Sequence, residues 1–231
     1  MDQIRISAKN LGAVALEDFC PRCFWLKLRM ENKLPWQIFP GIFSSIDAYT
    51  KRVIHAQIDA KAFPDWMEGL DICGYKKVPH FSKFKKEIPE HGILLTGAPD
   101  DIFVCSSGAY IIPDYKTAKY TENQDKLLPM YQVQLNAYAD IAEACGFKPV
   151  HDLFLVYFEP CTDEEYARAR CALSGFDMTF KAHPVRVPLD TAMLDRAMDT
   201  TRKIFDMPNA PDGRQGCKDC ECLSGILKLA A

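Results

Sequence analysis

The stretch from His91 to Thr117 restricts what this 231-residue chain can become more than any other. It reads as two short strands between His91 and Val104, a Ser106-Ser107-Gly108 turn, and a returning strand from Ala109 to Thr117. Gly97-Ala98-Pro99-Asp100 stands on the outgoing side and Pro113-Asp114-Tyr115-Lys116 on the return. Strand side chains alternate, so Asp114 and Lys116 share one face while Tyr115 points to the other. With its strand as the neighbour, Asp100 joins them, and two carboxylates and an ammonium meet at the end of a small sheet. Asp101 is expected to face away and reads as structural or surface.

That set suits hydrolysis by metal-activated water. Mg²⁺ and Mn²⁺ prefer carboxylate, carbonyl and water oxygens and keep waters that a substrate can displace. Asp100 and Asp114 supply two ligands, and the backbone carbonyl of Tyr115 is a natural third. The ion lowers the pKa of a bound water and withdraws charge from a phosphate, while Lys116 orients that water or stabilises the charge that builds. An Asp-x-Lys tripeptide alone is more often a solvated strand end, so the surroundings matter. Downstream, apolar residues recur at helical spacing from Leu128 to Cys145, which places Gln134 and Tyr138 one above the other on a single face.

In this order, the Gly-x-x-Asp, Asp-x-Lys and Gln-x-x-x-Tyr series resembles the PD-(D/E)XK nuclease superfamily. The likeness is to RecB-type exonucleases, including CRISPR-associated members and the AddB-like iron–sulfur members, and it runs from Cys20 to Cys222. It implies a restriction-endonuclease-like α/β core, a central mixed β-sheet flanked by helices. It also implies that Asp100 and Asp114 bind Mg²⁺ or Mn²⁺, that Lys116 is catalytic, and that Gln134 and Tyr138 support the site or touch DNA. A third metal ligand is expected on the helix that begins at Gly41 and runs to about Ala62. Asp47 is best placed, with His55, about 80° further round the helix, as the alternative. The implied activity is a metal-dependent deoxyribonuclease, an exonuclease on single-stranded or frayed ends. The alternative is a DNA-binding or adaptor protein working with a CRISPR integrase or a repair complex.

The cysteines are a separate line of argument. Of ten, Cys73, Cys105, Cys145, Cys161 and Cys171 lie in apolar surroundings and read as small buried hydrophobes. The other five sit at the two ends, as Cys20-Pro21-Arg22-Cys23 and Cys217-Lys218-Asp219-Cys220-Glu221-Cys222. Two Cys-x-x-Cys pairs far apart in sequence suggest a structural metal site pinning the terminal segments together. Cys20, Cys23, Cys217 and Cys220 would make a tetrahedral Zn²⁺ site. The nuclease resemblance instead implies Cys20 with Cys217, Cys220 and Cys222 around a [4Fe–4S] cluster. The chain departs from that pattern in its extra Cys23 and in the single residue between Cys220 and Cys222.

Composition narrows the rest. A hydrophobic share of 48% argues against disorder, and a net charge of −3 against a bulk nucleic-acid binder, so any DNA contact must be local. Lys76-Lys77 and Lys83-Phe84-Lys85-Lys86 form one basic, aromatic-interleaved stretch, which reads first as a solvated loop. No apolar run approaches a membrane span, and no signal peptide opens the chain, so a cytoplasmic protein without membrane partners is expected. One domain over 1–231 is expected, with a catalytic core at about 32–205 and a cysteine region formed by 8–31 with 206–231. Helical pattern over Ala8 to Glu31 breaks at Cys20-Pro21, a Pro- and aromatic-rich loop follows over Leu34 to Pro40, and Phe63 to Glu90 is irregular. Leu153 to Phe158 reads as a strand buried on both faces, Phe176 to Val187 as an edge strand, and Asp190 as the N-cap of a helix to about Met207.

Overall fold

The structure, a computed structural model, describes residues 2–31, 40–121, 126–172 and 174–230. A short strand, β1 (Ile4–Ser7), opens it and is followed by helices α1 (Ala8–Gly12), α2 (Pro21–Arg29) and α3 (Gly41–Asp59). Strands β2 (Ile72–Lys76), β3 (Lys85–Ile88), β4 (Ile93–Thr96), β5 (Ile102–Cys105) and β6 (Tyr110–Lys116) come next, then α4 (Leu128–Ala144) and β7 (Val150–Pro160). An excursion of α5 (Glu164–Arg168), β8 (Cys171–Ala172) and β9 (Gly175–Phe176) leads to β10 (Phe180–Val187), α6 (Thr191–Phe205) and α7 (Lys218–Ala230). The expected loop over residues 34–39 lies outside the described residues.

A mixed five-stranded sheet forms the centre, in the order β10-β7-β6-β5-β2. β6 and β7 run parallel, joined through α4, and the other pairings are antiparallel. The unbroken apolar run of β7 has its reason in burial on both faces. Leu153 and Leu155 pack into the cluster that holds Val133, Leu135 and Ile141 of α4. Phe154 and Val156 pack into the opposite cluster, with Ile54 and Ile58 of α3. The layers are therefore α4, sheet, α3.

β4 departs from expectation. Instead of lying beside β5, it belongs to a three-stranded sheet, β1-β4-β3, paired parallel to β1 and antiparallel to β3. Asp100 consequently sits on the β4–β5 connection rather than on a strand. Gly97 and Pro99 account for the break, since proline removes a ladder donor and Gly97 takes φ +156°.

Helix ends follow local chemistry. Pro21 fills the first turn of α2 after Cys20, a position whose N–H has no intrahelical partner. Asp190 caps α6, its carboxylate accepting from Met193 N–H at 2.8 Å. Buried Asn136 ties that cap to α4, accepting from Asp190 N–H at 2.7 Å and donating to the Pro188 carbonyl at 3.1 Å. Among the described residues, no helix is long and apolar enough to cross a membrane.

Candidate active site

Asp114 and Lys116 end β6 on the face covered by α4, as alternation requires. Lys116 Nζ is ion-paired with Asp114 Oδ2, and its ammonium lies 4.6 Å from the Tyr131 ring centroid. Gln134 Nε2 donates to Asp114 Oδ1 at 3.2 Å and to Tyr138 Oη at 2.9 Å, so the two α4 residues one turn apart act as one bracket. Asp100 reaches the same place from its loop. Its Oδ2 accepts from Tyr115 N–H at 2.6 Å, and its Oδ1 lies 2.8 Å from Lys51 Nζ. Lys51 also contacts Asp47 Oδ2 at 2.9 Å, which brings the α3 acid to the set. Gly97 makes the loop's approach feasible: a Cβ there would stand 2.6 Å from Tyr138 Cε1.

Electrostatics follow from crowding. Burial pushes the Asp114 carboxyl up to about 6, with Lys116 opposing and Asp100 adding repulsion. Burial likewise raises Asp47 against the pull of Lys51. Both ammoniums are held above their ordinary range despite burial, Lys116 by Asp114 and Lys51 by Asp100 and Asp47. Three acids are thus gathered by two cations. An oxygen donor set compressed in this way fits a hard divalent ion. Gln134 Oε1, buried with no hydrogen-bond partner among the described residues, adds an acceptor beside it.

His55 lies elsewhere. On the opposite face of the sheet, His55 Nε2 stands 2.6 Å from Asp101 Oδ1, and Tyr115 Oη donates to Asp101 Oδ2 at 2.8 Å. The His55 ring stacks on Tyr75, with centroids 3.9 Å apart. Asp101 is only 1% exposed, so it is a buried brace and not a surface residue. The structure therefore brings Asp47, Asp100, Asp114, Lys116, Gln134 and Tyr138 together and leaves His55 with Asp101. The Tyr115 amide, rather than a side chain, provides that residue's contact with Asp100. Lys51 is a site residue that sequence reasoning missed: its spacing from Asp47 gives an ordinary helical pair, and only the β4–β5 connection supplies its second partner, Asp100. Of the basic stretch, Lys76, Lys77, Lys83 and Lys85 are exposed, while Lys86 pairs with Asp140 of α4 at 2.7 Å.

Four sulfurs converge where α2 and α7 begin. Those of Cys20, Cys23, Cys217 and Cys220 all lie within 4.8 Å of one another. Cys20 stands 3.6 Å from Cys220, and Cys23 stands 3.6 Å from Cys217 and 3.4 Å from Cys220. Arg214 N–H donates to Cys20 Sγ at 3.3 Å. Burial would raise the Cys20 thiol, but the backbone N–H groups of Cys23 and Arg214 bring it down to about 6. The set expected for an iron–sulfur cluster is not the one that meets: Cys23 takes the fourth place, and Cys222 is exposed. Two residues beyond Cys220 on a helix, a side chain has turned roughly 200° away. Of the five remaining cysteines, Cys105 is buried as expected, whereas Cys73 and Cys171 are exposed.

The family model described as the PD-(D/E)XK nuclease superfamily matches residues 46–224. No curated protein matches the chain. Ten chains of solved structures do, among them the crystal structure of SSO0001. It is 14% identical, with 90% of this chain and 80% of that one covered, at a TM-score of 0.41.

Proposed function

The chain belongs to the PD-(D/E)XK nuclease superfamily, whose members are typically hydrolases that cut nucleic acid, and from that premise we propose a Mg²⁺- or Mn²⁺-dependent deoxyribonuclease. One observation carries the reading: Asp47, Asp100 and Asp114, from a helix, a loop and a strand, are drawn to the end of β6 beside Lys116. These carboxylates, with the Tyr115 carbonyl, would hold the ion. When bound, it supplies an activated water and draws charge from the scissile phosphate. Lys116, half-buried and ion-paired with Asp114, would orient that water or stabilise the developing negative charge. Gln134 fixes which way the Asp114 carboxylate faces, and Tyr138 fixes Gln134. Exonuclease action on single-stranded or frayed ends is the RecB-type part of the proposal. The adaptor reading, in a CRISPR integrase or repair complex, has no need of an intact Asp100–Asp114–Lys116 set.

For the cysteine centre we favour one Zn²⁺ over a [4Fe–4S] cluster. Four thiolates at about 2.3 Å around a tetrahedral ion stand roughly 3.8 Å apart, close to the spacing among these sulfurs. A cubane would interpose its own iron and sulfide between them and needs wider separation.

End-labelled single-stranded and duplex DNA, incubated with and without Mg²⁺ or Mn²⁺, tests the activity. Metal-dependent shortening from the ends is expected, and Asp114→Asn and Lys116→Met should each lower it by about 100-fold or more. Cleavage by Asp114→Asn at the wild-type rate would remove the site from consideration.

A further inference from the structure

Lys51 has no part in the reaction outlined above, yet its ammonium sits among the acids that define the site. An Asp and a Lys four residues apart make an ordinary helical surface pair. Here the same ammonium also reaches across to the β4–β5 connection and takes a second carboxylate, at 2.9 Å from Asp47 Oδ2 and 2.8 Å from Asp100 Oδ1. The lysine side chain is only 28% exposed, so it is enclosed rather than waving in solvent. A divalent ion held by Asp47 and Asp100 would draw on the two carboxylates that this ammonium already occupies. Ammonium and ion are both positive, and each needs the gap between the two carboxylates. They exclude one another.

Resting on the metal-site reading above, we propose that Lys51 is a built-in counter-ion. In the metal-free protein it gathers Asp47 and Asp100, which would otherwise repel, and a divalent ion binds by displacing it. α3 and the β4–β5 connection thereby stay in register before the ion arrives, and the affinity for the ion is lowered by the need to move the lysine. Lys116 has a different partner, Asp114, and lies outside the gap between Asp47 and Asp100.

Mn²⁺ titration of the full chain, with free Mn²⁺ followed by electron paramagnetic resonance, tests this. Lys51→Met should bind Mn²⁺ about 10-fold more tightly than wild type, and Lys51→Arg, which keeps a cation, should bind as weakly as wild type. Lys51→Met should also melt lower without metal and gain more on adding it. If Lys51→Met does not fold, wild-type protein can be acetylated with and without Mg²⁺ and read by mass spectrometry. Lys51 should become more reactive with Mg²⁺, relative to exposed Lys203. Wild-type Mn²⁺ binding with equal or weaker binding by Lys51→Met, or Lys51 reactivity indifferent to Mg²⁺, overturns the counter-ion role alone. Binding of Mn²⁺ by neither protein overturns the metal-site reading with it.

Discussion

Asp114 is a carboxyl that burial holds near pH 6, with 3% of its surface exposed and Asp100 close enough to repel it. An aspartate in an unfolded chain titrates near 3.9, so between about pH 4 and 6 the folded state binds this proton and the unfolded chain does not. Raising the pH through that window therefore costs the metal-free protein stability. Thermal melts at pH 4.5 and 6.5 without added Mg²⁺ or Mn²⁺ should show the decline, and Asp114→Asn should flatten it. Saturating Mn²⁺ should also abolish it in wild type, because the ion stabilises the ionised carboxylate. A pH slope unchanged by Asp114→Asn would assign the decline to other groups. Asp114, Lys116, Gln134 and Tyr138 could be read from sequence, because periods of two and of about four residues fix which side chains share a face. Lys51 and Asp101 could not be assigned in that way. Asp100 and Asp101 are chemically identical neighbours, and only the path of a loop decides that one faces Lys51 and the other His55.

α1 and α4 approach unusually closely, and the reason is a missing side chain. A Cβ on Gly12 would lie 2.3 Å from the Met130 carbonyl oxygen and 3.0 Å from Met130 Cγ. Gly12→Ala gains up to about 1 kcal/mol in helix propensity, yet it forces α1 off α4, and overpacking of this kind costs about 1–3 kcal/mol. The variant should melt several degrees lower. Calorimetry that finds it as stable as wild type would show that the two helices can part freely. Long elements were legible: α4 by its apolar repeats, β7 by its unbroken apolar run and α6 by its Asp190 cap lie close to where the sequence places them, and α3 begins at Gly41 as the family resemblance implies. β1 and β3 were not. Each is four residues long, and what makes Ile4–Ser7 a strand is the hydrogen-bonding partner Ile93–Thr96, nearly ninety residues away. That pairing also removed β4 from the central sheet and left Asp100 on a connection.

Across the whole chain, the cysteine centre joins segments separated by about two hundred residues, with α2 and α7 brought together by four sulfurs. Cys23→Ser and Cys217→Ser should each lower the metal content and the melting temperature, whereas Cys222→Ser should leave both unchanged. Elemental analysis and the visible spectrum of anaerobically purified protein check this. A brown sample, or a loss with Cys222→Ser equal to that with Cys23→Ser, would restore the cluster reading.

Short-range chemistry was written in the order of the residues: an acid and a lysine two apart on a strand, an amide and a phenol four apart on a helix, cysteines three apart at each end. Backbone geometry alone fixes such relations, so they needed no partner to be read. Which of two adjacent aspartates turns inward, which lysine settles between two acids and which of three closely spaced cysteines is left out depend on contacts between segments distant in sequence. Those contacts exist only once the layers have packed, because burial and charge, rather than local propensity, then choose the rotamers and the neighbours.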